Sequence, residues 1–144
     1  MWKFILTALW LLALAGMDIW RKRVPIWLLV LGGVFVTVMS FCDAWNGQFE
    51  GRELLWSILP GIVLLAVAIL TKKAGWADGV VVLFLGIVTG YRECILSFTL
   101  SMLFISAVSL VLLAFKKVRK NTKLPYLPFL CAGYLVQAAL GLAV

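Results

Sequence analysis

The stretch GMDIWRKRVPIW, residues 16–27, decides the fold. Before it lies an unbroken apolar run, in its middle stand Arg21, Lys22 and Arg23, and after Pro25 a second apolar run begins. An apolar segment that stops at basic residues and restarts at a proline is the pattern of two membrane helices joined by a short loop, since proline's fixed φ and missing N–H suit a helix start. Asp18 stands at the foot of the first run and demands an explanation. A carboxylate inside a spanning helix costs about 2.5 to 3.5 kcal/mol at the bilayer centre and less near an interface.

The rest of the chain agrees with the membrane reading. Of 144 residues, 65% are hydrophobic and 13% charged, and the mean hydropathy is +1.11. That composition cannot cover a soluble globule with polar surface. No A-x-A-like cleavage site follows the first run and further apolar runs do, so it reads as a true helix and not as a signal peptide. Apolar runs set against charged and turn residues predict six spans, at about 2–19, 25–42, 53–71, 78–91, 94–115 and 124–143. The expected fold is therefore all-α, a polytopic bundle of six transmembrane helices in one domain, 1–144. Pro60 falls inside the third span and is expected to kink it, and DAWNGQFEGRE, residues 43–53, reads as a turn region.

Basic residues near helix ends orient the bundle. Arg21, Lys22 and Arg23 lie after the first span, Lys72 and Lys73 after the third, and Lys116, Lys117, Arg119, Lys120 and Lys123 after the fifth. Those loops share one side, which the positive-inside rule makes cytoplasmic, leaving both termini extracytoplasmic. Only Lys3, Arg52 and Arg92 fall on the outer side. The net charge of +7 thus meets lipid headgroups and not nucleic acid, because no basic domain leaves the membrane.

The acidic residues then sort by side. Asp43, Glu50, Glu53 and Glu93 fall outside, where solvation accounts for them, while Asp18 and Asp78 stand at a similar depth near the cytoplasmic interface. Two carboxylates within a few ångströms can hold one proton between them near neutral pH. One member then serves as general base on a water, and the other polarises a peptide carbonyl and returns a proton to the leaving amine. Position alone leaves a second reading open, in which Asp18 pairs with its basic neighbours and Asp78 favours the N-terminus of its own helix.

Three segments carry a resemblance. D-I-W-R-K-R-V-P at 18–25, G-W-A-D at 75–78 and K-L-P-Y-L-P-F-L at 123–130, in that order on six predicted helices, resemble the signatures of the type IV prepilin peptidases, which are GxGD-type membrane aspartic proteases. The resemblance spans essentially the whole chain. It implies an endopeptidase that removes the short leader of prepilin-like precursors at the cytoplasmic face of a prokaryotic cytoplasmic membrane, with Asp18 and Asp78 as the catalytic pair. It gives supporting roles to Gly75, Trp76, Ala77, Pro25, Pro125 and Pro128. The D-G-V-V-V-L-F-L-G run at 78–86 and the K-x-R-K-x-T-K-L-P stretch at 117–125 look most like the small peptidases of tight-adherence or Flp-type pili. Its partners are then the precursor and the bilayer, and it implies no cofactor, so that activity is expected to survive a chelator.

The chain departs from the family pattern at three places. Ala77 stands where the motif has its second glycine, which strains the backbone if that position needs a positive φ and is harmless otherwise. Ile26 and Val80 replace an asparagine and a lysine common among relatives, changes that bear on substrate preference. Larger relatives also methylate the mature pilin through a cytoplasmic region with paired Cys-x-x-Cys zinc ligands, and this chain has no such region.

With no histidine and three scattered cysteines, a cysteine–histidine nucleophile, a histidine-ligated metal and a four-cysteine zinc site are excluded. Cys42 and Cys94 both fall near the outer face, so a disulfide between them is an open alternative to simple packing. Most of the seven tryptophans sit at span ends as an interfacial belt, and Trp10 is expected to pack or face lipid. Gly32, Gly33, Gly86 and Gly90 are expected at close helix contacts, and Gln137 is expected to hydrogen-bond across helices. Two other classes of function stay in view: a small proton-coupled transporter using the two aspartates as a relay, and an inactive homologue serving as an assembly adaptor.

Overall fold

Gly90, with φ of +89°, makes the break between the two apolar runs expected at 78–91 and 94–115 and so sets the layout of the second half of the chain. Glycine tolerates that conformation and other residues rarely do. In the computed structural model, residues 2–21, 24–47, 51–71, 75–115 and 125–142 are described. Among them are six helices and no strand: α1 (Trp2–Arg21), α2 (Ile26–Trp45), α3 (Gly51–Thr71), α4 (Trp76–Thr89), α5 (Tyr91–Ala114) and α6 (Leu127–Leu142). Pro25 precedes α2 in an extended conformation, φ −68° and ψ 135°, one residue earlier than the helix start expected of it. α3 runs without interruption through Pro60.

Four helices, α1, α2, α3 and α5, are long and apolar enough to cross a membrane. The expectation of six spans, the fourth of them short, is met only in that coarser form. α4 has 14 residues and α6 has 16, which at 1.5 Å per residue is about 21 Å and 24 Å, short of the roughly 30 Å hydrocarbon layer. α4 is short because Gly75 and Gly90 bound it, and it can be short because it is ringed by protein: it packs against α1, α2, α3 and α5. Val81, Val82 and Leu85 of α4 are fully buried.

The outward faces are the reverse of a soluble surface. Leu55 and Leu70 of α3, Val30 and Val34 of α2 and Leu110 of α5 are more than half exposed. Such broad apolar exposure fits lipid and not water, since soluble monomers rarely expose patches beyond a few hundred Å². Trp20 and Trp45, at the ends of α1 and α2, are 88% and 82% exposed, consistent with an interfacial belt.

The α3–α4 contact depends on glycine. A Cβ on Gly61 would come within 2.5 Å of the Leu83 backbone, one on Gly79 within 2.9 Å of the Leu65 nitrogen, and one on Gly86 would strike the Ser57 carbonyl. Small residues let backbones approach where lipid supplies no hydrophobic drive between helices. Gly86 therefore has the role expected of it, as do Gly32, which takes the Trp10 indole, and Gly33, which meets Phe84. Gly90 does not: nothing lies within 4 Å of where its Cβ would be, and its task is the positive-φ break. Trp10 is a packing residue, 8% exposed, tilted against Phe84 with ring centroids 6.3 Å apart.

Polar contacts tie the bundle at its ends and centre. Lys3 of α1 pairs with Asp43 of α2, so Asp43 is not simply solvated as its loop-side position suggests. Ser97 of α5 donates to Gln137 of α6 at 3.4 Å, the cross-helix bond expected of that glutamine. Cys42, Cys94 and Cys131 are free thiols, and Cys94 donates instead to the Val82 carbonyl. The basic residues used for orientation, Lys22, Arg23, Lys72, Lys73, Lys116, Lys117, Arg119, Lys120 and Lys123, lie outside the described residues, as do Glu50 and the side chain of Trp2.

Candidate active site

Asp18 occupies the last turn of α1 and Asp78 the first turn of α4. Alternating helix direction brings the end of α1, the start of α4 and the start of α6 to one end of the bundle, where α1 packs on both α4 and α6. Asp18 is 8% exposed, Asp78 is half-buried, and Asp78 lies within the electrostatic field of Asp18. The two sequence-predicted carboxylates are thus brought together.

The surroundings of Asp18 are unusual for a carboxylate. Its Oδ2 is buried with no hydrogen-bond partner, while the Leu127 backbone N–H donates to the group. That N–H belongs to the first residue of α6, where no intrahelical acceptor exists. Pro128, next in line, has no N–H, and the N–H groups of Phe129 and Leu130 are taken by the Tyr126 carbonyl. The proline-bounded start of α6 therefore leaves the Leu127 amide for Asp18. Arg21, one turn away, is exposed, and the only ion pair among the described residues is Lys3 with Asp43.

Tyr126 was not singled out by the sequence pattern, yet it is buried beside this site. Its hydroxyl and that of Ser101 are 2.9 Å apart, the Ser101 hydroxyl also donates to the Phe98 carbonyl, and the phenol lies within the field of Asp78. The available signal was a tyrosine enclosed by Pro125 and Pro128, a place where the chain direction is set by the prolines and the aromatic between them must point somewhere fixed.

Gly75 immediately precedes α4 with ordinary extended dihedrals, φ −70° and ψ 120°. Its lack of a side chain therefore serves no special backbone geometry: a Cβ there would lie 2.9 Å from Asp78 Oδ2, so glycine makes room for the carboxylate that folds back over it. Ala77 is helical, in the first turn of α4, and packs against the core. The condition under which alanine is harmless is the one met, because a helical φ is negative. Trp76 is 56% exposed. Pro25 and Pro125 are half-buried, each just before a helix, and Pro128 lies in the first turn of α6.

An apolar groove of about 790 Å³ lies between α2 and α4 and reaches Ile26, Trp76, Val80 and Phe84. It flanks the α4 stretch carrying Asp78 without including either aspartate. Among the described residues no three His, Cys, Asp or Glu side chains gather as a metal site. No protein family, curated protein or solved structure matches the chain.

Proposed function

We propose that the protein is a membrane aspartic endopeptidase of the prepilin-peptidase type, with Asp18 and Asp78 as its catalytic pair and the leader of a prepilin-like precursor as its substrate. The observation that carries this reading is the meeting, at one end of the bundle, of two carboxylates that form no ion pair among the described residues, one of them buried with a bare oxygen. Buried polar groups are nearly always satisfied, and an exception asks for a reason. One proton shared by the pair removes the like-charge repulsion and leaves an acid and a base side by side.

In this reading the unprotonated member takes a proton from a water held between the two, and the resulting hydroxide attacks the scissile carbonyl carbon. The protonated member donates to the carbonyl oxygen as it gains charge. Collapse of the tetrahedral intermediate sends a proton to the departing amine and restores the single shared proton. The Leu127 amide fixes the plane of one carboxylate, and the space above Gly75 fixes the other.

The bundle would use all six helices within the membrane, the short α4 screened from lipid by its neighbours, with both termini extracytoplasmic and the dyad near the cytoplasmic face. Basic loops at 21–23, 72–73 and 116–123 support that orientation. Against a proton relay, both aspartates stand at one end of the bundle, in the last turn of α1 and the first turn of α4, and no acidic residue marks the bilayer middle.

Co-expression with a prepilin-like precursor tests the proposal through the leader-sized mobility shift. The parent protein should cut, and Asp18→Asn and Asp78→Asn, each purified at parental yield, should not. Near-parental cleavage by either variant assigns that aspartate to structure and sinks the dyad.

A further inference from the structure

At the opposite end of the bundle, α3 and α5 begin side by side around a pocket of about 640 Å³ lined by Arg52, Glu53, Trp56, Gly90, Tyr91 and Arg92, among others. Arg52 and Arg92 are each the second residue of their helix. A cation in a first turn faces the positive end of the helix dipole, the unfavourable arrangement, and here two such cations share one pocket. Both are also exceptions to the cytoplasmic bias of the basic residues. Among the described residues neither forms an ion pair with an acidic neighbour: Glu53 and Glu93 stand in the same first turns, yet the only such pair is Lys3 with Asp43.

An anion resolves each of these features. It would face two guanidinium groups, which match phosphate oxygens in a bidentate fork, and the first-turn N–H groups of α5, where Cys94 is the first to bond back, to the Gly90 carbonyl. Gly90 adds no side chain to fill the space. The wall is aromatic, with Trp56 and Tyr91 edge-on at 6.1 Å, as side chains at headgroup depth are.

The helix faces below the pocket say where the anion comes from. At helical spacing from Arg52, Trp56, Leu59 and Val63 are 54%, 48% and 52% exposed; from Arg92, Leu96 and Leu103 are 45% and 61% exposed. An apolar stripe thus descends from each arginine along two packed helices. The geometry points to a phosphate-binding site for an anionic lipid headgroup, with the acyl chains laid along α3 and α5. The site is independent of the aspartates and of the proposed proteolysis.

Native mass spectrometry of the full-length protein in detergent, titrated with phosphatidylglycerol, phosphatidylcholine or inorganic phosphate, tests it. Phosphatidylglycerol should be retained over phosphatidylcholine. Arg52→Gln and Arg92→Gln should each lower retention about fivefold, equivalent to about 1 kcal/mol for a basic side chain at an anionic surface. Glu53→Gln, which removes a carboxylate from the lining, should raise retention, a gain that a merely disrupted fold would not produce. Equal retention by the Arg52→Gln Arg92→Gln double variant, or weaker retention by Glu53→Gln, overturns the site. Displacement of the lipid by millimolar inorganic phosphate overturns its assignment to lipid in favour of a soluble phosphate.

Discussion

Asp43 and Asp18 lie one turn or less from helix ends, at opposite ends of the same hairpin, and their circumstances differ in every other respect. Asp43 is partly exposed and holds Lys3 across the α1–α2 contact. Asp18 is buried, has one oxygen with no partner and another aspartate for a neighbour. A carboxylate that serves stability finds a cation; one that serves chemistry can be left without one, because a paired carboxylate is a poor proton acceptor. The difference separates a tie from a candidate catalyst within a single helical hairpin.

The largest expected effect breaks the comparison if it fails. Asp18→Asn and Asp78→Asn should lower precursor cleavage by about 10²- to 10⁴-fold, the usual worth of a general acid or base. Asp18→Asn should meanwhile unfold no earlier than the parent, because an amide is cheaper than a carboxylate in a buried site. Asp43→Asn should leave cleavage within about twofold, since surface ion pairs contribute little. Parallel precursor assays and thermal unfolding in detergent read all three.

The pH dependence of kcat/KM sharpens the same point. A pair that works with one shared proton gives a bell-shaped profile whose two limbs belong to the pair. A profile flat on either side of its working range would mean a single essential carboxylate.

Gly75→Ala places a methyl group 2.9 Å from Asp78 Oδ2 and should cut the cleavage rate by about tenfold while the fold persists, since small misplacements of a reacting group are expensive. Ala77→Gly restores the motif glycine and should gain no activity; it should destabilise by about 1 kcal/mol, the helix penalty of glycine against alanine. Faster cleavage by Ala77→Gly would show that this position acts through more than backbone geometry.

The smallest effect is that of Lys3→Met, which removes the partly exposed partner of Asp43. It should cost about 0 to 1 kcal/mol in thermal unfolding, less at high salt. A cost as large as that of burying an unpaired carboxylate would erase the contrast between the two aspartates.

Membrane helices were legible in the chain because a bilayer demands long apolar runs with satisfied backbones, a signal carried by composition within each segment. The break between the fourth and fifth helices was legible as well, because Arg92 and Glu93 interrupt the apolar residues; its exact place at Gly90 was not, because a positive φ leaves no mark in hydropathy. Asp18 and Asp78 stood out because an acid in an apolar run has a cost that sequence alone exposes. Tyr126 and Leu127 did not: a tyrosine between prolines and a leucine amide have no unusual cost until α6 is placed beside α1. Ala77 shows the reverse case, a departure from a motif whose consequence depended on a backbone angle.

By itself, then, the sequence determined the solvent, the all-helical class and the two acids that need an explanation, because each follows from transfer free energies of residues taken one segment at a time. Only the tertiary structure decided that the short α4 is enclosed, that the Leu127 amide serves Asp18, that Asp43 is paired and that Arg52 and Arg92 share a pocket. Those facts depend on which helix faces meet, and helices in lipid meet through close fits such as Gly61 on Leu83, which hydropathy does not record.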